Sequence, residues 1–203
     1  MEPLVFLVIA MVFFSVTTSL GEVHDACEQR IPKDLAPAVT SCCRDTSDYD
    51  AVTIEICAKE TQKLFYRDWP AVIILCALEK LNWIHPNGTI NPEGIAKDIK
   101  RREYATNTNR TSPIIDMKRA ALQHCVPMLN EFNMKHPSAG DPEDTAVLLY
   151  MCGRLGATVR CLRVMQPISP ICVRYRDLLE LCVHDVVNLA AFTNRSHIYK
   201  GNT

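Results

Sequence analysis

The chain has 203 residues, with 22 basic and 23 acidic side chains, six histidines and ten cysteines, and 48% of it is hydrophobic. A formal net charge of −1 offers no field to hold nucleic acid or an anionic membrane. The one short basic cluster, Lys97, Lys100, Arg101 and Arg102, ends a predicted helix, where cations complement the dipole.

In chain order, MEPLVFLVIAMVFFSVTTSLG comes first, with an apolar stretch from Leu4 to Phe14 and a Ser/Thr-containing stretch ending in small residues. That stretch is shorter than the roughly 20 residues needed to span a bilayer. Residues 1–21 therefore read as a secretory signal cleaved after Gly21, although Glu2 departs from the usual positive start. A membrane anchor is the competing reading, and no later segment reads as long and apolar enough to span. The remainder, 22–203, fits one domain. Its 22 basic residues balance its acidic ones, because the signal carries only Glu2.

Short helices are expected near 33–44 and 48–67. PAVIILCALEKLNWI, 70–84, starts with a proline suited to a first turn and is apolar nearly all round until Glu79, as in a central helix. HPNGTINPEG breaks the chain, with Asn87-Gly88 as a turn signal and Asn91-Pro92-Glu93 as cap, first residue and acidic first turn. That cap predicts a helix over 91–104. After the polar linker TNTNRTS, Ser112-Pro113 opens a helix expected to stop near Cys125, before Pro127. KHPSAGDP, 135–142, is a loop. Val147, Met151, Leu155, Val159 and Leu162 then follow helical spacing. QPISP interrupts, and Ser169-Pro170 opens a last helix with Tyr175, Leu178, Leu179, Cys182, Val186 and Leu189 on one stripe. Strand-like alternation, repeats and low complexity are absent. The expected fold is all-α, a compact disulfide-linked bundle of about six to eight helices.

Ten cysteines follow the signal: Cys27, Cys42, Cys43, Cys57, Cys76, Cys125, Cys152, Cys161, Cys172 and Cys182. An even count in a secreted chain implies up to five disulfides, with a connectivity that sequence does not fix. Zinc is the competing use of cysteine, but no paired C-x₂-C spacing is present. Cys152 and Cys161 fall in one predicted helix. There they stand roughly 13 to 14 Å apart along the axis and about two and a half turns round it. A disulfide needs Cα atoms within about 7 Å, so each must bond a different neighbour from opposite faces of the helix. Adjacent Cys42 and Cys43 are likewise expected to reach two separate partners. Helices caged by cross-links can stay folded around a centre that side chains do not fill, so an apolar cavity is permitted.

Several of these features resemble the insect odorant-binding proteins, secreted helical carriers. Cys152 and Cys161 match that family's C-x₈-C. CALEKLNWIHPNGTINPEGI, from Cys76, looks like the segment after its third cysteine. Cys125 follows Cys76 after 48 residues, as the fourth cysteine does. The likeness covers roughly 57–161. The usual C-x₃-C is missing because residue 72 is valine, which moves the second-cysteine role toward Cys57. The surplus cysteines and the C-terminal extension after 161 are most similar to the Plus-C subgroup, whose proline directly follows the sixth cysteine; here the prolines are Pro167 and Pro170. The family's pairing implies a Cys125–Cys161 bond.

That resemblance implies a secreted, extracellular carrier in sensory-organ fluid. It would solubilise a small apolar ligand of the odorant or semiochemical type in an internal cavity. It needs no cofactor and no metal. A membrane odorant receptor and a homodimer are the further partners the reading admits, and nucleic acid is not one. Trp69, Ile73, Ile74, Leu78 and Trp83 are candidates to line the pocket, and Tyr150 and Tyr175 to offer a hydroxyl; ordinary core packing is the competing reading for each. Gly153 and Gly156, inside a helix, point to close approach of a neighbouring helix or a ligand. Asn87, Asn109 and Asn194 begin glycosylation triplets. His24, His85, His124, His136, His184 and His197 show no metal spacing, and most are expected at the surface; the tail with His197 and Tyr199 is a candidate pH-sensitive flap. Signatures such as G-x-S-x-G are missing, so the chain reads as a non-enzyme. The alternative is a secreted interaction protein with a filled core, acting through its surface as an inhibitor or signal.

Overall fold

A computed structural model of the chain describes residues 26–27, 31–35, 38, 42–43, 51–61, 69–106, 113–135, 141–164 and 169–193. The expected signal at 1–21, the flap with His197 and Tyr199, the acceptors Asn109 and Asn194, and much of the helix expected at 33–44 lie outside those residues. Among the described residues the fold is all-α. The helices are α1 (Ala51–Thr61), α2 (Trp69–Lys80), α3 (Pro92–Thr106), α4 (Pro113–Ala120), α5 (Val126–Lys135), α6 (Pro142–Val164), α7 (Pro170–Val183) and α8 (Val186–Phe192). A π-helical turn, Ala121–Cys125, joins α4 to α5 in one continuous rod. An isolated antiparallel bridge between Ile84 and Ile90 closes the turn between α2 and α3.

Three boundaries differ from expectation, each for a local reason. The apolar run of α2 ends at Lys80 instead of 84, because Asn82 takes a left-handed conformation with φ 59°. The Trp83 N–H then bonds the Leu78 carbonyl, and the Asn82 N–H bonds that of Glu79. These two bonds satisfy the last carbonyls of the helix in a motif that glycine more often supplies. Asn91 caps α3 as expected: its Oδ1 accepts the Gly94 N–H at 3.1 Å, while its Nδ2 donates to Asn82 Oδ1 at 3.1 Å. The corner is tight enough that a Cβ on Gly94 would sit 1.7 Å from the Asn82 carbonyl oxygen, so only glycine fits there.

The second difference is Pro127, expected to end its helix but lying inside it. Before it the chain widens into the π turn, where the Val126 N–H reaches the Ala121 carbonyl five residues back. The widened turn carries the helix past a residue that has no N–H to give. Third, the stripe from Tyr175 to Leu189 is two helices. It breaks at His184 and Asp185, and the Asp185 side chain accepts the Asn188 N–H at 3.0 Å to cap α8. The stripe residues still face inward, with Tyr175, Leu179, Cys182, Val186 and Leu189 buried.

Helix α6 is the hub, in contact with α2, α4, the π turn, α5, α7 and α8. Contrary to the sequence expectation, its residues Pro142–Arg163 are long and apolar enough to cross a membrane by length and composition. In the fold, however, 72% of that apolar window is buried against other helices, as in a core helix. Gly153 and Gly156 allow the end of α4 and the π turn to come close: a Cβ on Gly153 would lie 3.2 Å from Ala121 Cβ, and one on Gly156 would lie 3.0 Å from Ala120 Cβ. Packing therefore accounts for the two glycines.

One charged group is buried with its partners. Asp98 of α3 (5% exposed) pairs with Lys118 of α4 (0% exposed). It also accepts from Trp83 Nε1 at 3.2 Å and from Arg101 Nη2 at 2.7 Å. The Lys118 ammonium sits 5.6 Å from the Trp83 ring centre. Burial pushes the Asp98 carboxyl up, but the hydrogen bond and charge of Lys118, with Arg101 and Trp83, outweigh it and hold the carboxyl below its ordinary value.

All ten cysteines are paired: Cys27–Cys182, Cys42–Cys172, Cys43–Cys161, Cys57–Cys76 and Cys125–Cys152. As expected, Cys152 and Cys161 leave α6 toward different neighbours, and Cys42 and Cys43 reach separate partners. The implied Cys125–Cys161 bond is not formed. Cys125 faces the side of α6 that carries Cys152, at a Cα separation of 5.8 Å, whereas Cys161 lies half a turn out of phase and meets Cys43. Peptide mapping without reduction should yield these five cross-linked pairs; a Cys125–Cys161 peptide would contradict the fold.

Replacing Asp98 by Asn leaves the Lys118 ammonium buried without its counter-charge, at an expected cost of about 3–5 kcal/mol at pH 7. Because the folded carboxyl titrates below the unfolded one, its stabilisation is present above about pH 4 and lost as pH falls through the depressed folded value. Urea unfolding of Asp98→Asn against the parent at pH 7 and again in acid should show the stability gap shrinking in acid.

Candidate ligand-binding site

The residues expected to line a cavity are mostly packed into the core. Leu78 and Trp83 are fully buried, Tyr150 and Tyr175 are buried, and Ile73 and Ile74 are half-buried along α2. The side chain of Trp69 lies outside what the structure describes. Trp83 is committed to Asp98 through its indole N–H. Burial pushes the Tyr175 hydroxyl above the ordinary tyrosine value, against the opposing charge of Arg154, and so keeps it neutral. None of the six described side chains lines the cleft described next.

That cleft, of about 460 Å³, opens where the π turn, the C-terminal half of α6 and the end of α7 meet. It is open-sided, unlike the internal cavity expected from sequence. Its apolar lining is Ala120, Gly156, Val159, Val183 and the Cys125–Cys152 disulfide. Its polar lining is Gln123 and His124 from the π turn, Arg160 and Arg163 from α6, and His184 from the end of α7. The polar groups stand there for local reasons. The π turn re-aims Gln123 and His124 outward, where both are exposed. Arg160 and Arg163 are three apart on a helix and therefore share a side. His184 ends α7, where the break before Asp185 leaves it exposed. The rings of His124 and His184 meet edge to face with centres 6.0 Å apart.

Sequence reading missed this set because its members are spread from Gln123 to His184, and three of them, Gln123, His124 and His184, come from a π turn and a helix break that it did not foresee. The lining contains no serine, threonine, carboxylate or free thiol, so the two imidazoles have no nucleophile within it to activate. The arrangement is an apolar floor with a rim of donors.

Elsewhere, Cys57, Glu60 and Cys76 bring ligand-type atoms together, with Cys76 Sγ 3.9 Å from Glu60 Oε2. Both sulfurs are spent in a disulfide, whereas a metal needs thiolates. Of the glycosylation candidates, Asn87 is exposed on the turn after α2, and its Oδ1 accepts the Thr89 N–H at 3.1 Å and the Thr89 hydroxyl at 2.7 Å. His85, like His124 and His184, is exposed.

No family model matches the chain, and no curated protein or solved structure matches it. The class rests on its own geometry: an all-α fold with five disulfides, a load typical of extracellular proteins.

Proposed function

We propose that the protein is a secreted carrier of small hydrophobic ligands, similar in role to the insect odorant-binding proteins and their Plus-C subgroup, and that it acts by binding without catalysis. The observation that carries this reading is the cleft: about 460 Å³ of space with an apolar floor, within the roughly 300–1,000 Å³ usual for small-molecule sites. The resemblance supports it through the C-x₈-C of α6 and the Cys76 segment, while the disulfide pairing does not follow that family's pattern. Residues 1–21 supply the route out of the cell, and a membrane receptor or a second copy of the chain are partners that such a carrier admits.

The mechanism is burial. Each methylene moved from water to the floor is worth about 0.8 kcal/mol, close to a fourfold gain in affinity. Micromolar binding, about −8 kcal/mol, is the expected range for an alcohol or ester of ten to fifteen carbons. Calorimetry or displacement of a fluorescent probe with a homologous alcohol series checks this. One ligand should bind per chain, affinity should climb with length and then fall once the cleft is full, and binding should raise the melting temperature. Affinity that ignores length, or no binding at all, would instead favour the surface-acting interaction protein.

A further inference from the structure

The turn between α2 and α3 offers a site for covalent modification. We propose that Asn87 is an N-glycosylation site, taking an oligosaccharide on its side-chain nitrogen at the end of the molecule away from the cleft; this rests on the secretion part of the carrier reading. Pro86, Asn87 and Gly88 form a three-residue hairpin loop between His85 and Thr89. The His85 N–H donates to the Thr89 carbonyl at 2.8 Å, and the Gly88 N–H donates to the His85 carbonyl at 2.8 Å. Beneath that rung the Ile84–Ile90 bridge closes the loop, and both isoleucines are buried. Proline and asparagine followed by a glycine at φ 81° are the residues such a loop needs. Gly88 is buried against Pro142 at the start of α6, where an added Cβ would come within 2.9 Å of that ring. Asn87 and Thr89, on either side of it, are exposed.

The acceptor triplet Asn87-Gly88-Thr89 thus stands on an anchored base with its outer side in solvent, and its internal bonds leave the acceptor atom available. Asn87 Oδ1 takes the Thr89 N–H at 3.1 Å and the Thr89 hydroxyl at 2.7 Å, while Asn87 Nδ2 donates to no described residue. In the transfer, Nδ2 forms a bond to the anomeric carbon of an oligosaccharide carried on a polyprenyl diphosphate. The bond from that carbon to the diphosphate oxygen breaks, the diphosphate leaves with the electron pair, and Nδ2 gives up one proton to a base of the transferase. The hydrogen bonds of the loop all lie within His85–Thr89, so the turn can form on the growing chain well before any long-range disulfide. A glycan is bulky and hydrophilic, and the finished fold keeps room for it. Helix α6 rises roughly 15 Å between Pro142, under this loop, and Cys152, the first of its residues in the cleft. The cleft therefore stays open, and the corner that carries the sugar is closed to a protein partner.

The test expresses the full chain, with its own residues 1–21, in cultured eukaryotic cells and maps its peptides by mass spectrometry. The peptide containing Asn87 should carry a glycan. An amidase that removes N-linked glycans, used in heavy-oxygen water, should label that residue and raise the mobility of the protein on a gel. A sample without the amidase accounts for spontaneous deamidation, to which an Asn-Gly pair is prone. Thr89→Ala should abolish the glycan at this site, and Thr89→Ser, which keeps the hydroxyl, should retain it. Both are read on total as well as exported protein, so a variant that folds poorly is still scored. Exported protein with Asn87 bare, sugar only at Asn109 or Asn194, or a glycan at Asn87 that survives Thr89→Ala overturns the assignment while leaving the carrier reading standing. Retention of the parent chain in the cell with Asn87 bare removes the secretion reading and this inference with it.

Discussion

Everything in this fold is arranged around a helix that is gripped covalently on two opposite faces. Cys152 and Cys161 project from α6 in opposite directions, so one ties it to the π turn through Cys125 and the other to the N-terminal segment through Cys43. Once those bonds exist, α6 can neither roll about its axis nor slide along it without breaking one. The helices that pack on it inherit that register. Gly153 and Gly156 then let α4 and the π turn close to van der Waals contact, and Cys172 and Cys182, on one buried side of α7, tie that helix to Cys42 and Cys27.

Much of this was legible because it depends on chain geometry alone. Helical spacing from Val147 to Leu162 locates α6, and nine residues of helix between two cysteines exclude a bond between them. Adjacent Cys42 and Cys43 demand two partners. The cap at Asn91 and the prolines at 113 and 170 mark helix starts because their chemistry is local. What failed was decided by tertiary context. Asn82 stops α2 in a left-handed conformation that asparagine tolerates better than most residues, and Lys80 and Asn82 in LEKLNWI are the stop signal that the apolar run through Trp83 and Ile84 masked. Pro127 is carried through a helix by a widened turn, which a rule about proline and straight helices does not anticipate. The Cys125–Cys161 bond came from likeness, and the phase of Cys161 on α6 decides otherwise.

The candidate ligand residues show a different kind of limit. Aromatic and branched residues read alike whether they fill a core or line a cavity, and here Leu78, Trp83, Tyr150 and Tyr175 are core. Trp83 carries more than packing: it donates to Asp98 while its ring faces the Lys118 ammonium. Asp98 and Lys118 each bring a charge out of water, and Arg101 and Trp83 add the hydrogen bonds that such a buried pair needs. That network joins the α2–α3 corner to α4, and so fixes one end of the rod that runs through the π turn into α5. The cleft therefore depends on residues that never touch it.

The cross-links also explain how an open-sided cleft persists in a small domain. Cys27–Cys182, Cys42–Cys172 and Cys43–Cys161 close loops spanning 155, 130 and 118 residues, all joining the start of the described chain to its last third. On chain-entropy grounds a loop near 100 residues is worth about 4.7 kcal/mol to the folded state, against about 3 for a loop of 15. Stabilisation on that scale does not come from apolar contact, so it is not lost where contact is incomplete. Without it, helices facing an empty apolar surface would gain by closing over it. With α6 held by Cys125 in the floor and by Cys43 on its opposite face, and α7 by Cys27 and Cys42, two walls of the cleft are tethered. The floor between them can then remain accessible to a molecule from solvent.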